Sequence, residues 1–310
     1  MPRKRALIVY NPIAGARSSM LEHTLQRLTA HGLQFDLHET EGPGDAEKAV
    51  CREGLDKSYD AVVAAGGDGT INEVVNGLLG TKLSLGIIPL GTVNVLALEL
   101  GLLKDPERVA RAIVFGPARS VNVGIANGRA FLLMMGTGFD GRVVAGVSSK
   151  LKRILGQMAY MVSGLKEILF NRPAELVVDV DGIQYHASWA VVSNSSLYGG
   201  KYQLAPDTNL ESPGFEVSLI CGNSRWALIR GLLEMGLNRK KKSGWKQVFP
   251  VNNVSITASR EEPTQMDGDH FETLPLTITS APQSLELIMP SSTPVGPEDE
   301  KKDQGMHREA

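Results

Sequence analysis

One stretch constrains this chain more than any other. The small, wholly apolar run Ala61–Ala65 passes into Gly66-Gly67-Asp68-Gly69 and then, without a break, into a helical pattern from Ile71 to Leu79. Five apolar residues are too few for a helix and read as a strand buried on both faces, which is the habit of parallel sheets covered by helices. Three glycines in four positions let the backbone bend tightly and come close to a ligand. The helix that follows offers free N–H groups, so strand, turn and helix together form a potential anion site. The spacing is neither that of Walker A nor Gly-x-Gly-x-x-Gly. Taken alone, the segment is equally well a tight turn with Asp68 as a cap.

Its surroundings repeat the same step. Ala6–Tyr10, Phe35 with Leu37, and Leu85–Ile88 are strand candidates, and the stretches carrying Leu21, Leu25 and Leu28, then Asp45–Leu55, then Val93–Leu100 are helical. Such alternation predicts an α/β unit built on a parallel sheet, whose ligands sit at the carboxyl ends of strands. Two more polar, glycine-bearing turns fall at such ends: Asn11-Pro12 with Gly15, and Pro89 with Gly91-Thr92 and Asn94. Each is singly an ordinary connection. Their shared register predicts that all three line one cleft.

Beyond Val121 the texture changes. Asn127-Gly128 and Asp181-Gly182 are hairpin dipeptides, and Leu176–Val180 and Trp189–Val192 read as strands. A helical pattern runs from Leu151 to Leu169 and ends at Asn171-Arg172-Pro173. A mostly antiparallel β domain with a few helices is the expectation. Two domains also suit 310 residues, which exceed what one core usually supports. The boundaries expected are 1–122 for the α/β unit and 123–290 for the β-rich unit. Residues 291–310, rich in Ser, Pro, Glu, Lys and Gly, are expected to be a disordered tail.

Composition excludes more than it identifies. A net charge of −2 gives no general reason to expect nucleic acid. Cys51 and Cys221 form neither a disulfide framework nor a zinc pattern, which suits a reducing cytoplasm. The basic start, Met1–Arg5, is followed by too short an apolar run for a signal peptide, and no apolar stretch reaches the roughly 18 residues of a membrane span.

The three turns together resemble the nucleotide-binding motifs of the diacylglycerol kinase catalytic family, which includes sphingosine, ceramide and bacterial lipid kinases, with NAD kinases a more distant branch. The residues that carry the resemblance are Asn11-Pro12 with Gly15, Gly66-Gly67-Asp68-Gly69-Thr70 with Asn72-Glu73, and Gly91-Thr92 with Asn94. The resemblance spans most of residues 6–290. It implies a Rossmann-like N-terminal domain, a β-sandwich second domain, an active site between them, and a last strand that returns to the first domain. It implies ATP and Mg²⁺ as cofactors and transfer of the γ-phosphate to a lipid hydroxyl, of diacylglycerol or sphingoid type. The segment Gly66–Asn72, including Ile71, is then expected to hold the phosphates, with Asn11, Thr40, Glu73, Gly91, Thr92 and Asn94 around the nucleotide. Asp68 is a candidate magnesium ligand. Gln265-Met266-Asp267-Gly268-Asp269 is similar to the family's Asp-Gly-Glu segment, which makes Asp269 the first candidate proton acceptor and Asp267 the second, although Asp267-Gly268 also reads as a hairpin turn.

The pattern is not kept everywhere. Val95 follows Asn94 where many relatives carry Asp, and Pro213 stands where several bacterial members place an Asp that helps hold a structural magnesium ion. Glu211 and Asp207 are the nearest replacements. These departures keep two alternatives open: a nucleotide-binding lipid sensor without catalysis, and a kinase of a soluble acceptor such as NAD. Asp140, after Gly136 and Gly138, faces the cleft or caps a turn. The apolar residues from Trp226 to Leu237, followed by Arg239–Lys242, Trp245 and Lys246, suit transient contact with a membrane surface. Homodimerisation is left open.

Overall fold

The computed structural model describes residues 1–14, 19–53, 58–91, 94–102, 105–147, 158–200, 202–222, 224–236 and 245–291. Gly15, Thr92, Val93, Leu151–Leu155, Leu237, Arg239–Lys242 and the expected tail after Ser291 lie outside these residues.

The first part of the chain runs β1 (Arg5–Tyr10), α1 (Ser19–Ala30), β2 (Gln34–Glu39), α2 (Asp45–Glu53), β3 (Ala61–Gly66), α3 (Asp68–Leu78), β4 (Ser84–Pro89), α4 (Val95–Glu99), α5 (Pro106–Phe115) and β5 (Ala118–Val121). β2, β1, β3 and β4 lie side by side in that order, all parallel. Every residue of β3 and β4 is buried, as their unbroken apolar sequences require between two layers of helices. Local signals place the helices. α5, for example, starts where Asp105 accepts the Arg108 N–H at 3.1 Å, with Pro106 in the first turn.

The second part continues with β6 (Gly124–Ala126), β7 (Arg129–Phe131), β8 (Met134–Gly138), α6 (Phe139–Ala145), α7 (Met158–Phe170), β9 (Leu176–Val180), β10 (Ile183–Ser193), β11 (Leu197–Tyr198), β12 (Tyr202–Gln203) and β13 (Phe215–Cys221). After these come α8 (Arg225–Gly236), β14 (Trp245–Val251), β15 (Asn253–Ala258), β16 (Pro263–Met266), β17 (Asp269–Thr273), β18 (Leu276–Ser280) and β19 (Leu285–Ile288). An antiparallel sheet runs β17–β16–β8–β10–β9–β15–β18–β6–β7, with β13 and β14 branching from the long β10. Three of its hairpins turn on one chemistry. Asn127-Gly128, Asp181-Gly182 and Asp267-Gly268 all have positive φ at both positions, between 47° and 90°. That geometry matches the twist of the flanking strands and favours Asn or Asp before Gly.

The chain then crosses back. β19 inserts between β4 and β5, parallel to the first and antiparallel to the second, so the α/β sheet is completed by residues from the other end of the sequence. One core cluster joins the residues of β1, β3 and β4 to Leu132, Leu133, Met134, Trp189 and Ile220, and a second fills the antiparallel sheet around Phe131, Val178, Phe215 and Ile256. Because the first cluster is shared, the turns at the ends of β1, β3 and β4 face the antiparallel sheet across a packed boundary.

One periodic pattern points the opposite way from a core helix. On α7 the small residues Ala159, Ser163 and Gly164 are buried, while Met158, Met161, Val162, Leu165 and Leu169 are exposed.

Candidate functional site

The three turns meet at the carboxyl edge of the parallel sheet. Asn11, just past β1, donates from Nδ2 to Thr70 Oγ1 at 3.1 Å and accepts from the Ile13 N–H at 3.0 Å. Thr70 sits in the first turn of α3, so the first turn is tied to the second. Thr40, at the end of β2, gives its N–H to the Tyr10 carbonyl at 2.8 Å. Glu73 accepts the N–H groups of Gly44 (2.8 Å) and Ala46 (3.1 Å), fixing the loop after β2 against α3. Ile71 is buried in the α/β core and anchors the helix.

The second and third turns touch through glycine. A Cβ placed on Gly91 would lie 2.8 Å from the Gly67 Cα, a contact that only glycine avoids. Asn94 holds the pair. With its amide oxygen facing the Leu90 and Gly91 N–H groups (3.1 and 2.9 Å), its nitrogen donates to the Gly66 carbonyl at 3.2 Å. Asn94 occupies the left-handed region, φ 47°, a conformation Asn tolerates better than most residues.

Asp68 does not cap its own helix. Its carboxylate accepts the N–H groups of Val95 (3.0 Å) and Leu96 (3.4 Å), capping α4 and joining the second turn to the third. Burial pushes its carboxyl up to about 6 against the pull of those two bonds, and the nearby carboxylates of Asp267 and Asp269 push the same way.

Those two carboxylates come from the β16–β17 hairpin, both approach α3, and they differ in burial. Asp267 is buried. Its Oδ1 accepts from the N–H groups of Leu133 and Met134 (2.8 and 3.0 Å), and its Oδ2 from the Leu132 N–H and Asn72 Nδ2 (2.9 and 2.8 Å). Burial raises its pKa while the four donors oppose the rise. Asp269, two residues on, is exposed, and a Cβ on Gly69 would stand 2.5 Å from its Oδ2. The structure thus gathers Asn11, Gly66, Gly67, Asp68, Gly69, Thr70, Gly91, Asn94 and Asp269, and turns Asn72, Glu73 and Asp267 inward.

Several polar residues of this region carry no motif. Asn76, one turn after Asn72, donates to the Ala130 carbonyl (3.1 Å) and accepts its N–H (3.0 Å), pinning α3 to β7. Its spacing of four from Asn72 is the only signal in the sequence. Glu99 of α4 accepts from Ser195 Oγ (3.2 Å) and from the Ser196 N–H and Oγ (3.1 and 2.8 Å). Asp140 is fully enclosed. It accepts from the Tyr198 hydroxyl and from Gln265 Nε2 (2.8 Å), and Gln265 Oε1 accepts the Gly268 N–H at 2.7 Å. A line of hydrogen bonds therefore runs from Tyr198 to the turn that carries Asp269.

The donor set suits a magnesium ion brought in with nucleotide phosphates. Such an ion usually takes one or two protein carboxylates and completes its shell with phosphate and water. Asp68 and Asp269 approach the same glycine turn, and their mutual repulsion is the field a divalent cation relieves. Among the described residues no cluster of three or more His, Cys, Asp or Glu side chains is placed to hold a metal by itself. Near Pro213, Asp207 and Glu211 are both exposed.

Comparison with known proteins fits this geometry. Residues 5–126 match the model of the diacylglycerol kinase catalytic domain, and residues 134–289 match the YegS C-terminal NAD kinase beta sandwich-like domain. The diacylglycerol kinase of Bacillus subtilis (strain 168) is 32% identical over 295 residues, covering 93% of this chain and 97% of its own. This chain belongs to the diacylglycerol kinase family. It is accordingly a lipid kinase, an enzyme that transfers phosphate to a lipid hydroxyl. A second relative in the family, the diacylglycerol kinase of Staphylococcus saprophyticus, is 30% identical over 296 residues, 93% of this chain and 96% of that one. The fold agrees as well. A crystal structure of a diacylglycerol kinase from Bacillus anthracis str. Sterne superposes with a TM-score of 0.74 over 93% of this chain and 97% of that one, at 23% identity.

Proposed function

We propose that this lipid kinase moves the γ-phosphate of ATP, with magnesium, onto the free hydroxyl of diacylglycerol at a membrane surface facing the cytoplasm. The observation that carries the reading is the position of Asp269, an exposed carboxylate held against Gly69 at the mouth of an anion-binding turn. In this reading residues 1–122 bind the nucleotide and residues 123–290 bind the acceptor.

The N–H groups of Gly66–Gly69 and the start of α3 bind the phosphates, where backbone can approach because no Cβ intervenes. Asp68 would hold magnesium, which would supply neutralisation of the phosphate charge. Asp269 takes the proton of the lipid hydroxyl as that oxygen attacks the γ-phosphorus. The bond from the γ-phosphorus to the bridging oxygen breaks, and ADP leaves. Asp267, Asn72 and Glu73 act at one remove by fixing the hairpin, α3 and the loop after β2. Among the described residues no helix is long and apolar enough to cross a membrane.

The test offers the purified protein ATP and magnesium with diacylglycerol, sphingosine and NAD in separate reactions, with products read by mass spectrometry. Phosphatidic acid as the main product is expected. Phosphorylation of sphingosine or NAD in its place overturns the acceptor. ATP binding without any phosphorylated product across a broad lipid panel overturns catalysis in favour of a sensor.

A further inference from the structure

We propose that Glu99 is a positioning residue for phosphoryl transfer. It fixes the base of the β11–β12 hairpin on α4, and through that hairpin it sets the place of Asp269 at the glycine turn. The proposal rests on the reading of Asp269 as the proton acceptor and adds what holds that carboxylate in register.

α4 begins inside the site and ends in the other half of the molecule. Its start is tied to the second turn, where Asp68 accepts the Val95 and Leu96 N–H groups at 3.0 and 3.4 Å. The helix is a little over one turn long, so it is a stiff spacer that puts Glu99 about 6 Å along its axis from Val95. Glu99 is half-buried, and all three of its donors are neutral. Its Oε1 accepts the Ser196 N–H (3.1 Å) and the Ser196 hydroxyl (2.8 Å), and its Oε2 accepts the Ser195 hydroxyl (3.2 Å). One carboxylate thus grips two successive residues that lie 96 and 97 positions further along the chain.

The gripped residues are a junction. On one side Asn194 anchors the end of β10, its N–H bonded to the Leu133 carbonyl at 2.8 Å and its Nδ2 to the Asn122 and Leu132 carbonyls at 2.7 and 2.8 Å. On the other side the Ser196 carbonyl accepts the N–H groups of Leu204 and Ala205, at 3.1 and 3.4 Å. Those bonds close the segment whose strands are β11 and β12, so Glu99 holds the point where that hairpin leaves and returns.

The hairpin leads back to the site. Tyr198 of β11 stands edge-on to Trp189, ring centroids 5.6 Å apart, and gives its hydroxyl to Asp140. Asp140 takes Gln265 Nε2 at 2.8 Å, and Gln265 Oε1 takes the Gly268 N–H at 2.7 Å. Gly268 precedes Asp269, whose Oδ2 lies 2.5 Å from the place of a Cβ on Gly69. The line of contacts therefore leaves the glycine turn at Asp68 and returns to it at Asp269. Asp267 already pins the same turn to α3 and β8. One anchor leaves a turn free to pivot, and the Gly268 bond is the second. Displacing a reacting group by about 1 Å costs on the order of 10²-fold in rate, so the second anchor bears on turnover.

The test compares wild type, Glu99→Ala and Glu99→Gln, each assayed below its own melting transition. Gln keeps an oxygen for both Ser196 donors, and its nitrogen can donate to the Ser195 hydroxyl, so it preserves the grip and removes the charge. Turnover on diacylglycerol is measured at saturating ATP and magnesium, ATP affinity by calorimetry, and hydrogen exchange at the Leu204 and Ala205 amides by mass spectrometry. Glu99→Ala is expected to lower kcat about tenfold or more, to leave ATP affinity unchanged and to speed exchange at both amides. Glu99→Gln is expected to keep most of the turnover. On an Asp269→Asn background Glu99→Ala should cost little further, because the group it positions is already lost. Wild-type kcat in Glu99→Ala overturns the proposal, as does an equal loss in Glu99→Gln, which would make the charge the agent. Losses that multiply on the Asp269→Asn background overturn it too, and so does a fall in ATP affinity as large as the fall in kcat. Should Glu99→Ala not fold, the double variant Ser195→Ala, Ser196→Ala removes the same contact from the other side, and wild-type kcat in it is equally decisive against the proposal. Normal turnover in Asp269→Asn alone would instead remove the proton acceptor, whereas a slow Asp269→Asn beside a normal Glu99→Ala would remove only the role of Glu99.

Discussion

Asn72 Nδ2 donates to Asp267 Oδ2 at 2.8 Å, across 195 positions of sequence. One bond thus joins the helix behind the glycine turn to the hairpin that presents Asp269. Since Asp267 also gathers the N–H groups of Leu132, Leu133 and Met134, the start of β8 is held in the same knot. The two sides of the candidate cleft are set relative to each other by a buried carboxylate whose own oxygens are fully engaged.

Asp267→Ala is therefore expected to act first on stability. It strands three backbone N–H groups and the Asn72 amide away from water, and a cost of about 3 kcal/mol or more follows. Urea denaturation should show it as a lower midpoint. An Asp267→Ala protein as stable as wild type but inactive would make Asp267 a chemical participant in place of a structural one.

Asp269→Asn is expected to do the reverse. The side chain is exposed, so the melting curve should hold, while turnover falls about 10²-fold or more, the usual scale for loss of a general base. ATP affinity, measured by calorimetry, should change little. Asp269→Glu reaches the same space with one more methylene and should keep substantial activity. Normal turnover in Asp269→Asn would move the base elsewhere, with Asp68 as the next candidate.

Gly91→Ala tests the contact between the second and third turns. The added Cβ meets backbone, the Gly67 Cα at 2.8 Å, so one turn must move. ATP affinity should fall about tenfold, the effect of displacing a preorganised donor set by a few tenths of an ångström. Gly42→Ala is the control, because nothing lies within 4 Å of its Cβ. Equal ATP affinity in Gly91→Ala and wild type would separate this contact from nucleotide binding.

Features governed by local chemistry were legible in the sequence. Burial on both faces made β3 and β4 apolar without interruption, and positive φ at two successive residues called for Asn-Gly or Asp-Gly at the hairpins. At Asp267-Gly268 the expected tight turn is present, and the strand that follows it starts with the exposed carboxylate of Asp269. Which carboxylate it presents was not legible, because that depends on what packs against each side of the hairpin. Asp68 was read as a candidate magnesium ligand, with a cap of its own turn as the alternative. It caps α4 instead of its own turn, and no local pattern reports a partner 27 residues away. On α7 the period identified a face correctly, but a period cannot say whether protein or something else covers it. Asn76, Glu99 and Gln265 are ordinary polar residues whose partners are assembled only by the tertiary fold.

Asp140 gives a pH dependence with a definite sign. Burial raises its carboxyl from 3.8 to about 6, against the help of Tyr198 and Gln265. A group whose folded pKa is raised contributes stability that is complete below the unfolded value and lost as pH rises through the folded one. The window is therefore from about pH 4 to about pH 6, and the loss over it is roughly 3 kcal/mol. Asp140→Asn does not titrate, yet its oxygen can face Gln265 Nε2 while its nitrogen faces the Tyr198 oxygen. Urea denaturation of both proteins between about pH 4 and pH 7 should show the variant gaining on wild type as pH rises, at up to about 1.4 kcal/mol per pH unit. Other titrating groups cancel in the difference. A flat difference would mean that the folded carboxyl titrates as it does in the unfolded chain, and a difference that falls with pH would mean that its hydrogen bonds outweigh burial.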